Sequence, residues 1–182
     1  MFPVLTTERL LLRKVEQTDA AAVLKGYSDP RVNQFMSVAY YSLDEVQEQL
    51  NFYESIFATG DGVWWAICNK ENPAIVIGNA GLNHYRPSHK CIELGYWILP
   101  EEQGKGYAAE AIRSICDYAF TVLDVHRIEA IVEGKNTISM HLLAKLGFQD
   151  EGVHRECEIK NGRYIDLNYF ALFNPAHKSP HM

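Results

Sequence analysis

The chain has 182 residues, of which 47% are hydrophobic and 22% charged, a balance typical of a single globular domain. Its net charge of −6 argues against nucleic-acid binding, because such proteins present a basic face. No apolar run reaches the ~18 residues of a membrane span and the N-terminus lacks the features of a secretory signal, so we expect a cytoplasmic protein with neither nucleic-acid nor membrane partners.

The first half of the chain predicts strands and helices in turn. A strand over residues 9–15 is followed by a short helix that Pro30 ends. A second helix begins at Ser42, because Ser42 and Glu45 have the spacing of a capping box, and it ends near Gly60. Three apolar strands follow over residues 63–69, 74–85 and 91–99.

The second half continues with a glycine-containing loop, a helix over residues 107–123, a strand and a short helix that ends at Gly147. Strands over 149–159 and 163–173 follow, joined by the hairpin dipeptide Asn161-Gly162. We expect an α+β fold with layered helices and a mixed, mostly antiparallel sheet of seven strands, flanked by about four helices. Residues 1–174 are assigned to one domain and 175–182 to a C-terminal tail.

The cysteines do not predict a metal site. None of the four forms a CxxC pair, and no histidine pair has metal-ligand spacing. Each cysteine lies in an apolar strand or helix pattern, so we interpret all four as reduced core residues. They are Cys68, Cys91, Cys116 and Cys157.

Three hypotheses account for the loop Gly104-Lys105-Gly106. It is a tight strand-to-helix turn, a dinucleotide-binding fingerprint of the GxGxxA type, or a cradle for the diphosphate of coenzyme A. The fingerprint is disfavoured because the unit lies mid-chain and too little sequence follows Glu129 for a second nucleotide-binding half. In a cradle, the amides of residues 104–108 bind the anion at a helix N-terminus, and Lys105 either adds charge or is simply solvated.

The segment Gln103 to Ala108 matches the pattern Q/R-x-x-G-x-G/A and thereby resembles the acetyl-CoA motif of the GNAT N-acetyltransferase superfamily. The resemblance runs from the first strand to the last. It includes N-x-x-S at Asn136 and Ser139 and the tripeptide LGF before the final hairpin, and it is similar to the RimJ/RimL branch. It implies a GNAT fold and direct attack of a primary amine on acetyl-CoA in a ternary complex.

The resemblance also implies which residues bind acetyl-CoA, the co-substrate. The thioester arm is expected to lie along the end of the central strand, where a splayed strand leaves main-chain amides free for pantetheine and for the oxyanion. Asn136 is expected to bond the pantetheine. The implied cofactor-binding residues are Trp97, Ile98, Leu99, Gln103, Gly104, Lys105, Gly106, Tyr107, Ala108, Asn136 and Ser139.

The catalytic groups are expected to differ from those of many superfamily members. The position of the usual acidic tyrosine is Leu143, and the RimL-like pattern instead offers Ser139 as the hydroxyl for the leaving thiolate. Glu158 and Glu93 are the alternative bases, acting directly or through water, whereas Glu129 and Glu133 are weaker candidates. An acceptor groove is expected from Arg155, Tyr164 and Asp166, with an apolar wall of Phe35, Met36, Tyr40, Tyr41, Trp64, Trp65 and Tyr85.

The acceptor implied by the resemblance is a protein N-terminus, of the Ser or Ala type found in ribosomal proteins. A small amine is the alternative within the class: a polyamine, an antibiotic or an amino acid. From other classes, a non-catalytic acyl-CoA sensor and an NAD-binding module remain. A homodimer is implied by resemblance only.

Overall fold

The structure is a computed structural model that describes residues 1–177. Its described part contains one eight-stranded sheet of order β1-β2-β3-β4-β5-β6-β8-β7. Neighbouring strands pair antiparallel except for the parallel pair β5–β6. The strands are β1 (Leu5–Thr6), β2 (Leu10–Lys14), β3 (Val63–Asn69), β4 (Val76–Arg86), β5 (Cys91–Ile98), β6 (Arg127–Glu133), β7 (Gln149–Lys160) and β8 (Arg163–Phe173).

Five α-helices flank this sheet in the described residues, and none of them has the length and apolar character to cross a membrane. They are α1 (Ala20–Ser28), α2 (Pro30–Asn33), α3 (Leu43–Thr59), α4 (Tyr107–Thr121) and α5 (Thr137–Lys145). The capping box of α3 is formed by Ser42 and Glu45, as predicted, and Gly60 ends the helix in a left-handed conformation with φ of +78°. The turn between β7 and β8 has positive φ at both Asn161 and Gly162, confirming the predicted hairpin.

The helices lie on both faces of the sheet and create two hydrophobic cores. Along β3 the side chains alternate: Trp65 and Ile67 join the core with α4 and α5, whereas Ala66 and Cys68 join the core with α1, α2 and α3. This alternation follows from the period of two along a strand. The sheet is therefore the middle of three layers, and a gap in it can be reached from both faces.

The structure corrects several expectations. The sheet has eight strands because two residues, Leu5–Thr6, pair with β2 ahead of the predicted first strand. The helix count is five because Pro30–Asn33 forms one further turn after α1. All four cysteines are free, but Cys157 is exposed because β7 is an edge strand.

The expected C-terminal tail begins later than residue 175. Residues 175–177 contact the domain: Ala176 donates its amide to Asn174, and His177 Nε2 lies 2.9 Å from an Asp124 carboxylate oxygen. Asn174 itself is buried and donates its side-chain amide to the Val125 carbonyl. The remainder of the predicted tail, 178–182, lies outside the described residues.

Candidate active site

The centre of the sheet contains a gap between its two parallel strands. β5 and β6 pair at only three positions, of which the last is Glu93 opposite Glu129. β5 continues to Ile98 and β6 continues to Glu133 without further pairing between them. Main-chain groups of β5 beyond Glu93 therefore face a gap rather than a neighbouring strand.

The direction of the β5 main chain shows which groups face this gap. The Leu99 amide donates to the Ile77 carbonyl of the β4 side at 2.9 Å, so it is not available to a ligand. Main-chain N–H and C=O groups alternate in direction along a strand. Those of Trp97 therefore also point toward β4, whereas those of Leu94, Tyr96 and Ile98 point toward the gap. The expectation of free amides at Trp97 and Leu99 is thus wrong.

Gln103 and Trp97 have structural roles of their own. The Gln103 side-chain nitrogen donates to the Ile98 carbonyl at 2.9 Å, across the mouth of the gap. The Trp97 side chain is buried in the core on the α1–α3 face, edge-on to Tyr27 with ring centroids 5.7 Å apart. Burial, partly offset by a hydrogen bond from Tyr53, raises the pKa of Tyr27 to about 12, so this cluster stays neutral.

The glycine loop lies between β5 and α4 and bends sharply. Gly104 and Gly106 have φ of +75° and +83°, and Gly106 is the N-cap of α4. A left-handed backbone favours glycine over every other residue. Nothing lies within 4 Å of where a Gly104 Cβ would be, so the first turn of α4 is approached through open space.

Arg9 supports this loop from the N-terminal segment. Its guanidinium donates to the Lys105 carbonyl at 2.9 Å, pairs with Glu110 at 2.7 Å and lies over the Tyr107 ring, 4.7 Å from the centroid. Burial raises the pKa of Glu110, but the hydrogen bonds from Thr7 and Arg9 outweigh it and leave that pKa below its usual range. The loop is therefore fixed by an ion pair formed across about a hundred residues of sequence.

The Lys105 side chain forms an ion pair with a neighbouring residue and does not point toward the main-chain amides of the loop. Its ammonium lies 2.9 Å from a Glu102 carboxylate oxygen, and the side chain is 49% exposed. The side chain therefore stays on the surface in this structure, which matches the solvated alternative. Tyr107 and Ala108 begin α4 and pack partly buried against the core on the α4–α5 face.

Ser139 meets a tyrosine that the sequence analysis missed. The Ser139 hydroxyl lies 2.6 Å from the hydroxyl of Tyr96 on β5. Burial raises the pKa of Tyr96 to about 12, although the bond to Ser139 lowers it in part, so Tyr96 keeps its proton at neutral pH. Asn136 caps α5 by accepting the Ser139 amide at 3.2 Å, and Leu143 is fully buried.

The two candidate bases lie on different strands, one on each side of the gap. Glu93 sits on β5 where the gap begins, its side chain 27% exposed and 3.1 Å from His84 Nδ1. Glu158 sits on the edge strand β7, exposed and opposite Ile165. Burial raises the pKa of Tyr169 on β8, and charges that include Glu158 and Glu93 raise it further.

The weaker candidates are engaged in ion pairs. Glu129 accepts from Arg86 at 2.5 Å and from Arg127 at 2.8 Å. Glu133 pairs with Lys160 at 2.8 Å. Neither carboxylate is free to take a proton from an acceptor without losing a cation that it already binds.

The residues of the predicted apolar wall do not all lie on the same face of the sheet. Trp65 is buried on the opposite, α4–α5 face beside Tyr118, so its assignment to the wall is wrong. Trp64 lies on the α1–α3 face, directly over Gly81 and Gly95: a Cβ at these positions would come within 2.3 and 2.9 Å of the indole. The edge of the indole thus reaches β5 two residues from Glu93.

The other members of the predicted groove and wall have diverse surroundings. Tyr40 packs against Tyr27, Met36 packs partly buried against the same core, and Tyr85 packs against the core on the opposite face. Tyr41 and Tyr164 are 72% and 67% exposed. Phe35 is intermediate, Arg155 is exposed, and Asp166 accepts the Glu156 amide at 2.7 Å.

Comparison with known proteins decides the family. Residues 9–149 match the model of the acetyltransferase (GNAT) domain. The chain is also 32% identical over 176 residues to the N-acetyltransferase YoaA of Bacillus subtilis (strain 168), itself uncharacterised, covering 96% of this chain and 99% of that one. The chain belongs to the GNAT family. It is accordingly an acyltransferase of the N-acetyltransferase type.

Solved structures of GNAT proteins have the same architecture. A spermidine N-acetyltransferase from Vibrio cholerae, in complex with CoA and spermine, superimposes with a TM-score of 0.81 at 27% identity, covering 92% of this chain and 97% of that one. A ribosomal L7/L12 alpha-N-protein acetyltransferase, RimL, in complex with coenzyme A gives a TM-score of 0.86 at 20% identity, covering 96% and 100%. The second likeness shows the fold alone.

Three residues of this GNAT site were missed by sequence reasoning. They are Tyr96 beside Ser139, Arg9 beneath the glycine loop, and His84 beside Glu93. Tyr96 could have been found from strand alternation, since it lies one residue from Trp97 on the opposite face. Nothing in the local sequence marks Arg9, which reaches Lys105 across 96 residues, or His84, whose contact with Glu93 depends on the register between β4 and β5.

Proposed function

We propose that this GNAT protein transfers the acetyl group of acetyl-CoA to the primary amine of a protein or peptide N-terminus, as in the RimJ/RimL branch. The observation that carries the proposal is the gap between β5 and β6, which begins after Glu93 and has the glycine loop of α4 nearby. The gap supplies unpaired main-chain groups, and the loop supplies main-chain amides at a helix N-terminus.

The described residues fit coenzyme A. A diphosphate binds favourably to the amides of residues 104–108, because the helix dipole places about half a positive charge there. Left-handed Gly104 leaves open space on its side of the loop, whereas the Arg9 guanidinium lies 3.3 Å from where a Gly106 Cβ would be. The pantetheine amides pair with the main chain of Leu94 and Tyr96 at the gap, in the manner of an added strand. Gln103 already occupies the Ile98 carbonyl and limits how far that pairing extends.

The proposed reaction uses groups on both faces of the sheet. Glu93, on the α1–α3 face, takes a proton from the ammonium, and the freed amine attacks the thioester carbonyl carbon. A main-chain amide of β5 at the gap donates to the oxyanion. The carbon–sulfur bond then breaks, and Ser139 with Tyr96, on the α4–α5 face, donates a hydrogen bond to the departing thiolate.

The charges around Glu93 favour an acceptor with a single ammonium group. Glu129, Glu133 and Glu151 each pair with a cation of the protein itself. Glu158 forms no ion pair among residues 1–177, and Glu93 contacts only a histidine. One ammonium meets uncompensated carboxylates here, whereas a polyamine with more positive charges than Glu93 and Glu158 can neutralise would have to displace internal ion pairs.

A polyamine is the second candidate because acidic groups do converge on the acceptor side. Glu93 and Glu129 are neighbours across β5 and β6, and burial together with charges that include Glu158, Glu93 and Glu129 raises the pKa of Tyr169. The chain is also 29% identical over 160 residues to the spermidine N(1)-acetyltransferase of Vibrio cholerae. A cationic small molecule therefore competes with a peptide as the acceptor hypothesis.

Thiol release from acetyl-CoA tests the proposal. Peptides beginning with Ser or Ala, their N-acetylated counterparts, spermidine and a panel of small amines are supplied side by side at fixed acetyl-CoA. We expect turnover with free peptide N-termini and none with the blocked peptides. Turnover with spermidine alone would support the polyamine, and acetyl-CoA binding without turnover for any amine would indicate a sensor instead.

A further inference from the structure

β4 carries an irregularity beside the proposed reaction centre. Its register with β5 shifts between Asn83 and Arg86, and within that bulge His84 has φ of +53°. A positive φ is uncommon for a residue other than glycine, although histidine adopts it more often than most, and strained residues of this kind collect at functional sites. The bulge brings the imidazole of His84 to the Glu93 carboxylate on the neighbouring strand.

The imidazole lies between two partners that suit opposite protonation states. His84 Nδ1 is 3.1 Å from Asn83 Nδ2, which only donates, and 3.1 Å from Glu93 Oε2, which accepts when ionised. Without a proton, Nδ1 accepts from Asn83; with a proton, it donates to Glu93. His84 therefore gains or loses a proton at Nδ1 without leaving that atom unpaired.

We propose that His84 is the residue that receives the acceptor's proton from Glu93 and releases it to solvent, an inference that rests on the proposed acetyl transfer. The ammonium N–H bond breaks, its electron pair stays on nitrogen, and the proton passes to Glu93. Nitrogen then bonds to the thioester carbon, the C–S electron pair moves to sulfur, and the second N–H proton goes to the departing sulfur, which leaves a neutral amide and the CoA thiol. Glu93 passes the first proton to His84 Nδ1. The side chain is 72% exposed, so the imidazolium exchanges its proton with water and both groups return to their starting states.

The surroundings of His84 favour this direction of transfer. Glu93 faces it from β5, and Glu129 on β6 lies directly beside Glu93 in the sheet. Arg86, on the same strand as His84, is held by Glu129 and by Cys91. Within residues 1–177, Glu93 is therefore the carboxylate that contacts the imidazole, 3.1 Å from Nδ1.

The His84→Asn variant tests the relay. Asparagine tolerates a left-handed backbone better than most residues and keeps a donor for Glu93, yet it does not titrate. The matched control is His89→Asn, at an exposed histidine in the turn that follows β4. Both variants are first shown to have the wild-type melting temperature and acetyl-CoA affinity; if His84→Asn fails this check, His84→Gln replaces it.

Steady-state kinetics with and without added imidazole give the result. We expect kcat of His84→Asn to fall about tenfold, less than for loss of a group that contacts the substrate, with the KM for acetyl-CoA unchanged. Imidazole in the buffer should restore kcat in this variant and leave the wild type and His89→Asn unaffected. An unchanged kcat, or a loss that imidazole does not relieve, overturns the relay. A wild type that turns over no amine overturns the proposed function instead.

Discussion

Replacing Gly104 by alanine separates backbone strain from ligand binding, because the chain contains a matched position. Gly104 and Gly60 have φ of +75° and +78°, and nothing lies within 4 Å of a Cβ built at either residue. A left-handed alanine costs roughly 1–2 kcal/mol, and any effect on the unfolded chain is common to both variants. Each variant should therefore melt about 2–8 °C below the wild type.

The two variants should differ in acetyl-CoA affinity. Gly104 belongs to the proposed diphosphate cradle, whereas Gly60 ends α3. Loss of one hydrogen bond to a charged group costs about 1.5–3 kcal/mol, which corresponds to a roughly 10- to 150-fold weaker Kd. Isothermal titration with acetyl-CoA measures this directly. Equal acetyl-CoA affinity in Gly104→Ala and Gly60→Ala would refute the assignment of the loop to the diphosphate.

Three further predictions address the catalytic groups and the loop support. Ser139→Ala and Tyr96→Phe should each lower kcat by about 10- to 100-fold and lower acetyl-CoA affinity by less than that, and the double variant should be no slower than either single one if the hydroxyls act together. In pH–rate profiles, the rise in rate that reports deprotonation of the general base should be absent in Glu93→Gln and present in Glu158→Gln. The reverse result would make Glu158 the base. The folded-state pKa of Glu110 is lowered, so its contribution to stability is complete above the ordinary glutamate pKa and is lost as pH falls through the lower folded value. Denaturant unfolding should therefore show wild type and Glu110→Gln converging in acid, and a constant difference across pH would contradict this.

Much of the fold could be predicted from local sequence signals. Ser42 with Glu45 at a helix start, Gly60 at its end and Asn161-Gly162 in a hairpin each act over a few residues, and all are present as expected. The family also followed from a local pattern, the glycine loop before a long helix. The two-residue strand β1 and the single turn α2 were missed because such short elements carry no periodicity of their own.

The detailed site could not be predicted because its contacts join distant segments. Ser139 and Tyr96 are 43 residues apart, and Arg9 reaches Lys105 across 96 residues. Which strand amides are free depends on register: Leu99 was expected to be available, yet its amide bonds to Ile77. A single sequence shows the alternation of side chains along a strand, but it does not show where the neighbouring strand stops pairing with it or which main-chain amides are left free.

The most direct test of the account is a crystal structure of the protein with coenzyme A bound. The account predicts a diphosphate on the amides of residues 104–108 and a pantetheine arm in the gap between β5 and β6, alongside Leu94 and Tyr96. Coenzyme A bound elsewhere, with the gap between β5 and β6 empty, would contradict the account.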